Sequence, residues 1–169
     1  MQDRATPSAA VAIIKKTDKV NNEHYLILRR TTQPGDPWSG HFSFPGGRRE
    51  AEDTDLFSTC IRETREETGI ILSQQDLEKR LALEPAGRNF KSPVWVQPFL
   101  FSICATPDLT LNPAEIESYL WLDALHFKNP AHHLKVEMIP GQIFPAYPIE
   151  DYYLWGFTYR LLWDILYTS

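Results

Sequence analysis

The sequence predicts an α/β fold, because short apolar runs alternate with two longer segments of helical character. Each short run is typical of a strand, and the runs lie at residues 9–14, 25–28, 41–44, 81–83, 94–104 and 119–122. The helical segments cover residues 55–68 and about 153–167. The chain has 169 residues and neither a repeat nor a low-complexity linker, so we expect one domain over residues 1–169.

Turn residues mark the loops of the first half. Asn21 and Asn22 lie in the polar segment that separates the first two strands, and they favour a turn there. Residues 33–37 contain two prolines and a glycine, which can continue neither a helix nor a strand. A short strand at residues 41–44 then leads into the turn Pro45-Gly46-Gly47.

The segment 55–68 has the strongest helical pattern of the chain. Thr54 or Asp55 can cap its start, and Gly69 is suited to end it. One side of this helix is suited to packing, and it carries Leu56, Cys60 and Thr64. The glutamates of the segment lie on a neighbouring side.

The last third of the chain is less regular. Residues 126–148 are rich in Pro, His and aromatic side chains, and we expect them to form a long functional loop with little regular structure. A helix from about Tyr153 to Tyr167 follows. Its large apolar side chains recur at helical spacing and are expected to form a core stripe: Trp155, Tyr159, Leu162 and Leu166.

Composition limits the classes of partner. The net charge is −5 and no run is rich in Lys or Arg, so a basic surface for nucleic-acid polymers is not expected. A small anionic substrate is still compatible with this charge, because a bound metal ion can reverse the local field.

The cysteines and the apolar runs bear on location. Cys60 and Cys104 form no Cys-x-x-Cys pair, and we expect buried, reduced thiols, which suit a cytoplasmic protein. Residues 1–7 contain no apolar signal core, and the longest apolar run, near residues 99–105, is too short to cross a bilayer. No membrane partner is therefore expected.

Three carboxylates within five positions point to a metal site. Glu63, Glu66 and Glu67 stand at i, i+3 and i+4, so they share one face of the predicted helix and repel one another. A hard cation such as Mg²⁺ or Mn²⁺ would neutralise them, because carboxylate oxygens are the ligands that such ions prefer. The alternative is a solvated acidic face held together by Arg62 and Arg65.

The segment from Gly47 to Ile70 resembles the Nudix box. That motif has a glycine, five residues, a glutamate, seven residues, and then Arg-Glu-apolar-x-Glu-Glu-x-Gly-apolar. Here Gly47 opens the motif and residues 62–70 close it. The sequence departs from it in three ways: Asp53 replaces the first glutamate, eight residues separate Asp53 from Arg62, and Thr64 stands at an apolar position.

The resemblance implies an α/β/α sandwich with a mixed central sheet and a catalytic loop-helix. It implies a hydrolase in which Glu63, Glu66 and Glu67 bind Mg²⁺ or Mn²⁺, with Glu67 the central ligand. A carbonyl of the Gly46-Gly47 turn would add another ligand, and glycine lets the backbone approach closely. Arg62 can reach Glu66 at i+4 and Glu63 beside it, and so can orient the carboxylates. Water then attacks one phosphorus of a diphosphate.

A second resemblance concerns the substrate. Residues 40–47, the following Arg48 and Arg49, and the longer box spacing are similar to coenzyme A diphosphatases of the Nudix family. Those enzymes yield 3′,5′-ADP and phosphopantetheine. This sequence departs from their pattern at Asp36, where they have an arginine. The candidates that can replace the missing phosphate contact are Arg29, Arg30, Arg48 and Arg49.

Alternatives remain open at this point. The substrate can also be ADP-ribose, NADH, a nucleotide sugar or a damaged nucleoside triphosphate, and a catalytically silent nucleotide sensor is the alternative of another class. Arg48 and Arg49 can equally pair with nearby surface carboxylates, and a loop cation such as Arg88 is a weaker candidate for substrate binding. A homodimer is one use of the aromatic C-terminal third. Candidates for a further ligand or the base are Glu115, Glu117, Glu137 and Glu150.

Overall fold

The structure is a computed structural model that describes residues 6–87 and 91–168. In chain order its strands are β1 Ala9–Thr17, β2 Glu23–Arg30, β3 Phe42–Ser43, β4 Gly46–Arg48, β5 Leu77–Arg80, β6 Glu84–Ala86, β7 Val94–Ile103, β8 Ile116–Asp123, β9 Leu134–Ile139, β10 Gln142–Ile149 and β11 Tyr152–Trp155. The helices are α1 Leu56–Thr68, α2 Ala124–Phe127 and α3 Gly156–Tyr167, with a short 3₁₀ turn at Pro130–His132. Among the residues so described, no helix has the length and hydropathy that a membrane span needs.

The chain divides into two compact units. The first unit comprises Met1–Lys16 and Phe44–Asn112, and the second comprises Thr17–Ser43 and Pro113–Ser169. Of the first unit, residues 1–5 and 88–90 lie outside the described part of the chain, and with them Arg88.

The first unit contains a mixed sheet with α1 against it. β1 runs parallel to β7, with Ala9 opposite Val96, and antiparallel to β4, with Ala10 opposite Gly47. β5 and β6 pair antiparallel with β7. Helix α1 packs against β4 and β7, and the fully buried residues of this unit include Ala12, Ile13, Ile14, Cys60 and Phe101. The predicted α/β class with a mixed sheet is therefore confirmed.

The second unit is built on antiparallel pairs. β2 pairs with β8, with Leu26 opposite Trp121, and also with the short β3. A separate sheet has the order β11-β10-β9, and α3 packs against β10 and β11. The largest side chains that are fully buried in this unit include Tyr25, Phe127, Leu154 and Leu162.

The ends of α1 are those that the sequence predicts. The side chain of Asp55 accepts a hydrogen bond from the Ser58 N–H at 2.7 Å and caps the start of the helix. Gly69 ends it with a φ of 74° and donates its N–H to the Arg65 carbonyl at 2.8 Å. The predicted turn at Asn21 is also confirmed, since Asn21 adopts a φ of 64°.

The predicted loop at residues 126–148 is wrong. Strand β9 and most of β10 lie within it, and Gly141 supplies the turn between them with a φ of 76°. The alternation Leu134, Val136, Met138 against Lys135 and Glu137 is the period of a strand. The loop was predicted from composition, because prolines and histidines are frequent nearby, and composition does not detect this alternation.

The C-terminal helix begins later than predicted. It starts at Gly156 instead of Tyr153, because the preceding residues pair with β10 as strand β11, with Leu154 opposite Tyr147. The core stripe predicted for the helix is buried at Tyr159, Leu162 and Leu166, whereas Trp155 lies at the helix start and is half-buried.

Two smaller expectations also fail. Residues 81–83 form no strand but the break between β5 and β6, where the Leu81 carbonyl accepts a hydrogen bond from the Gln97 side chain at 2.7 Å. Cys104 is exposed instead of buried, because strand β7 ends at Ile103, one residue before it. The apolar run in the sequence is longer than the strand. Cys60 is buried as expected.

Candidate functional site

Helix α1 holds Glu67 against strand β4. Glu67 is only 4% exposed, and its Oε2 accepts a hydrogen bond from the Gly46 N–H at 2.9 Å. A Cβ at Gly46 would lie 2.3 Å from the Ala10 carbonyl oxygen, and the φ of Gly46 is 156°. Only glycine can therefore bring this N–H so close to the carboxylate. The result is a buried carboxylate whose orientation is fixed by the backbone.

Glu63 lies one turn earlier on α1 and meets the next residue of the same strand. A Cβ built at Gly47 would lie 2.5 Å from the carboxylate carbon of Glu63, so the carboxylate occupies the space that glycine leaves open. The Glu63 side chain is 15% exposed. The structure thus brings Glu63, Glu67 and the Gly46-Gly47 turn together.

Glu66 differs from the other two glutamates. Its side chain is 51% exposed, and its Oε2 accepts a hydrogen bond from Arg62 Nη1 at 3.2 Å, across one turn of the helix. It therefore lies at the open edge of the carboxylate group, whereas Glu67 lies at the buried end.

Arg62 contacts most of the acidic groups around this site. Its Nη1 donates to Glu63 Oε1 at 2.9 Å as well as to Glu66, and its Nη2 donates to the Arg48 carbonyl at 3.2 Å. The hydrogen bonds to Asp53 are the main reason why the pKa of Arg62 is raised above its ordinary value. A permanently charged guanidinium at this position reduces the repulsion among the glutamates.

Asp53, the residue that departs from the box pattern, forms the rear partner of Arg62. Its Oδ1 accepts from Arg62 Nε and its Oδ2 from Arg62 Nη2, both at 2.9 Å. The Glu50 N–H and the Thr59 hydroxyl also donate to Oδ2 at 2.9 Å. Arg62, followed by the Glu50 N–H, holds the pKa of this buried carboxyl well below its usual range. The loop and the arginine are therefore fixed by one carboxylate.

The donor set suits a hard divalent cation. Carboxylate oxygens of Glu63, Glu66 and Glu67 lie on one side of α1, beside a backbone turn without side chains, and such oxygens are the ligands that hard cations prefer. The nearby thiol of Cys60 does not compete, since burial, together with the charge of Glu67, raises its pKa and keeps it protonated. The residues present therefore fit Mg²⁺ or Mn²⁺ better than a thiophilic metal.

The main chain after α1 also reaches this site. The Asn112 N–H donates to the Glu67 carbonyl at 3.1 Å, and the Thr110 N–H donates to the Thr68 carbonyl at 2.8 Å. These bonds occupy carbonyls at the end of the helix that would otherwise lack partners. No local pattern in the sequence indicates this long-range contact.

The predicted substrate arginines have different environments. Arg49 donates from Nη2 to the carbonyls of Asp53 and Thr54, at 3.1 and 3.0 Å, so it holds the loop before α1 through backbone oxygens. Arg48 is exposed, and its carbonyl accepts from Arg62. In the second unit, Arg30 pairs with Asp36 at 3.2 Å.

The structure gives Asp36 a local role. One of its oxygens pairs with Arg30, and the other accepts from the Trp38 N–H at 2.9 Å. Asp36 thus shapes its own loop. Arg29 is similarly occupied, since it lies 2.5 Å from Asp151 and 3.3 Å from Glu150.

The glutamates considered outside the box are also placed. Glu117 and Glu150 lie 3.8 and 3.3 Å from Arg29, and Glu137 accepts from the Gly141 N–H at 3.0 Å. Glu115 is exposed, and its carbonyl accepts from the Thr31 N–H at 2.8 Å. The choice of a general base among them stays a prediction.

One polar pair near α1 was missed by sequence reasoning. Gln97 is 1% exposed, and its Oε1 accepts from Arg80 Nε at 2.9 Å. A glutamine within the apolar run of β7 is the signal that could have indicated it, because a buried amide requires partners.

Comparison with known proteins identifies relatives. The NUDIX domain model matches residues 6–142. An uncharacterised protein of Schizosaccharomyces pombe is 31% identical over 104 residues, covering 58% of this chain and 31% of that protein. The human mitochondrial coenzyme A diphosphatase NUDT8 is 31% identical over 72 residues, covering 43% of this chain and 30% of that protein. The match thus spans less than a third of either relative.

A solved structure supports the same fold. The crystal structure of a NUDIX hydrolase from Alicyclobacillus acidocaldarius aligns with a TM-score of 0.63 at 18% identity. The alignment covers 96% of this chain and 92% of that one.

Proposed function

The chain belongs to the NUDIX family, and from this premise we propose that it is a metal-dependent pyrophosphohydrolase acting on a nucleoside diphosphate-linked small molecule. The observation that carries the proposal is the buried Glu67 carboxylate, fixed by the Gly46 N–H at 2.9 Å beside Glu63 and Arg62. A structural role alone does not require three glutamates to be held together in this way, since their mutual repulsion destabilises the helix.

Members of this family generally depend on a divalent metal ion. We propose that Glu63, Glu66 and Glu67 hold it, with a carbonyl of the Gly46-Gly47 turn. The chemistry that such an ion supplies when bound is polarisation of the diphosphate and stabilisation of the charge that develops on the leaving phosphate.

The residues of the chain prepare this site in separate ways. The Gly46 N–H keeps the Glu67 carboxylate in one orientation, and the missing side chain at Gly47 leaves room for Glu63. Arg62 holds Glu63 and Glu66 and is itself held by Asp53. The substrate diphosphate is cleaved when water adds to one phosphorus and the P–O bond to the bridging oxygen breaks. No covalent enzyme intermediate is required.

We further propose coenzyme A or a derivative as the substrate. The segment Gly40 to Gly47 and the two following arginines support it, as does the similarity to the human coenzyme A diphosphatase. Asp36 does not argue against this substrate by charge alone, because Arg30 pairs with it.

The test is a panel of purified diphosphate compounds with Mg²⁺ or Mn²⁺ and products identified by mass. The panel includes coenzyme A, ADP-ribose, NADH, nucleotide sugars and nucleoside triphosphates. Release of 3′,5′-ADP and phosphopantetheine from coenzyme A, at a higher kcat/KM than for the other compounds, supports the proposal. Cleavage of another compound with coenzyme A intact refutes the substrate, and binding without any cleavage favours a nucleotide sensor.

A further inference from the structure

A cavity of about 260 Å³ lies beside the start of α1, in the first unit. Two arginines and two aromatic rings bound it: Arg49, Arg80, Phe57 and Phe99. We propose that this cavity binds a phosphate monoester of the substrate, separate from the diphosphate that is cleaved. The proposal rests on the proposed function and extends it to substrates that carry a third phosphate, as coenzyme A does on its ribose.

Arg80 is held in one orientation by a buried residue. Gln97 Oε1 accepts from Arg80 Nε at 2.9 Å, while the Gln97 amide nitrogen donates to the carbonyls of Leu81 and Pro98 at 2.7 and 3.1 Å. Every polar group of the Gln97 side chain is thus used, and one of its bonds serves to fix an exposed arginine. The guanidinium carbon of Arg80 also lies 5.9 Å from the centre of the Phe99 ring.

Arg49 is fixed in a comparable way. Its Nε donates to the Asp53 carbonyl, and its Nη2 donates to the carbonyls of Asp53 and Thr54, at the end of the loop. In the described part of the chain, neither Arg49 nor Arg80 forms an ion pair with a carboxylate. Each guanidinium therefore retains donors for an anion, and little rotational freedom is lost when one binds.

The charges around the cavity favour an anion. Asp55 is the acidic residue that lines it, and its Oδ1 is occupied by the Ser58 N–H and hydroxyl at 2.7 and 2.9 Å. Glu78, on the same strand as Arg80, pairs instead with Lys15 at 3.0 Å. Two arginines thus face one carboxylate. Guanidinium groups recognise phosphate through paired hydrogen bonds, which favours phosphate over a single halide.

The aromatic side of the cavity, formed by Phe57 and Phe99, adds selectivity for a nucleotide. The rings of Phe57 and Phe99 meet edge to face with their centres 5.4 Å apart. A nucleobase or ribose can contact this side of the cavity while its phosphate meets the arginines. Arg49 lies two residues after Gly47, about 7 Å along the chain at most, so the cavity is within reach of a nucleoside whose diphosphate lies at Glu63 and Glu67.

The test compares substrates that differ only in the additional phosphate. Coenzyme A and dephospho-coenzyme A are assayed with the wild type, Arg80→Ala and Lys79→Ala, which removes the neighbouring cation of the same strand. We expect Arg80→Ala to raise KM for coenzyme A about tenfold, the loss typical of a hydrogen bond to a charged group, with kcat within about twofold. We expect Arg80→Ala to leave KM for dephospho-coenzyme A unchanged, and Lys79→Ala to leave KM for both substrates unchanged. An equal change for both substrates, or none, overturns the inference.

A binding measurement separates this inference from the proposed function. Calorimetry without metal ion compares 3′,5′-ADP with AMP, so that no cleavage is involved. We expect a preference of about tenfold for 3′,5′-ADP that Arg80→Ala abolishes and Lys79→Ala retains. If coenzyme A is not cleaved but this preference is found, the proposed function fails and the phosphate site stands. If coenzyme A is cleaved and the preference is absent, the proposed function stands and the phosphate site is refuted. Should Arg80→Ala not fold, Arg80→Gln keeps the stem over Phe99 and gives the same test.

Discussion

Asp53 holds Arg62 through two hydrogen bonds of 2.9 Å, from Nε to Oδ1 and from Nη2 to Oδ2. Because the remaining nitrogen of the guanidinium reaches Glu63 and Glu66, the position of Asp53 determines how the carboxylates of α1 are presented. The residue that departs from the box pattern thus has a definite structural partner.

Replacing Asp53 by Asn should weaken both the fold and the site. The substitution removes a buried charge that pairs with Arg62, and we expect the free energy of unfolding to fall by about 2–4 kcal/mol. We expect kcat to fall as well, because Arg62 then lacks its rear partner. Denaturant unfolding and steady-state kinetics measure the two effects. The control is Glu52→Gln, an exposed carboxylate of the same loop, which should leave both unchanged.

The same carboxylate predicts an acid dependence of stability. The pKa of Asp53 is lowered in the folded state, chiefly by Arg62. The contribution of Asp53 to the free energy of unfolding is therefore complete above the pKa of an aspartate in the unfolded chain, about 4. That contribution is lost as the pH falls below about 4, toward the folded pKa. Unfolding free energies from pH 7 to pH 2 should show a shallower decline for Asp53→Asn than for the wild type. Parallel curves for the two proteins would contradict the assignment.

Glu67→Gln should separate activity from folding. The amide has the shape of the carboxylate, but it lacks the charge that a divalent cation requires. We expect the variant to keep its melting temperature within a few degrees and to lose at least about a hundredfold in kcat with Mg²⁺. Hydrolysis at the wild-type rate would exclude Glu67 as a metal ligand. Arg65→Gln, on the exposed side of the same helix, serves as the control.

The two glycines of β4 should respond differently to alanine. At Gly47 the added methyl group meets the Glu63 carboxylate, which is the end of a side chain and can move aside. At Gly46 it meets the Ala10 carbonyl of the paired strand and requires a φ that alanine rarely adopts. Gly47→Ala should therefore fold and lose activity, whereas Gly46→Ala should lose stability. Circular dichroism melts and kinetics compare them, and equal melting temperatures would argue against this reading.

The thiols should differ in reactivity. Cys104 is exposed, whereas Cys60 is buried and burial raises its pKa. A thiol reagent at neutral pH should modify Cys104 within minutes and Cys60 only after denaturation. Mass spectrometry of digested protein assigns the modified residue, with Cys104→Ser as the control that removes the fast phase. Rapid modification of Cys60 in the native protein would contradict its burial.

Sequence reasoning succeeded where the determining interactions are local. The caps of α1, Asp55 and Gly69, depend on a few neighbouring residues, and so does the contact of Arg62 with Glu66 one turn away. These features follow from helical spacing.

It failed where the structure of a residue depends on a partner outside its own helix, strand or loop. Strand β9 is short and acquires its structure by pairing with β10, beside prolines that predict a loop. The orientation of Arg80 depends on Gln97, and the role of Asp36 depends on Arg30. The burial of Asp53 within a loop of acidic residues was equally hidden, because its composition suggests exposure.

The pairing of β4 with β1 has a consequence for how the box can vary. Gly46 lies opposite Val11 and Gly47 opposite Ala10, so the sheet register, and not the loop that follows, sets the position of the turn. The other half of the site is carried by a helix that begins only at Leu56. The residues between them, among which Ala51 and Glu52 are exposed, form a loop whose length can vary while β4 and α1 keep their positions. A change in the length of this connection can be absorbed without displacing Gly46, Gly47 or helix α1, and the additional residue between Asp53 and Arg62 is such a case.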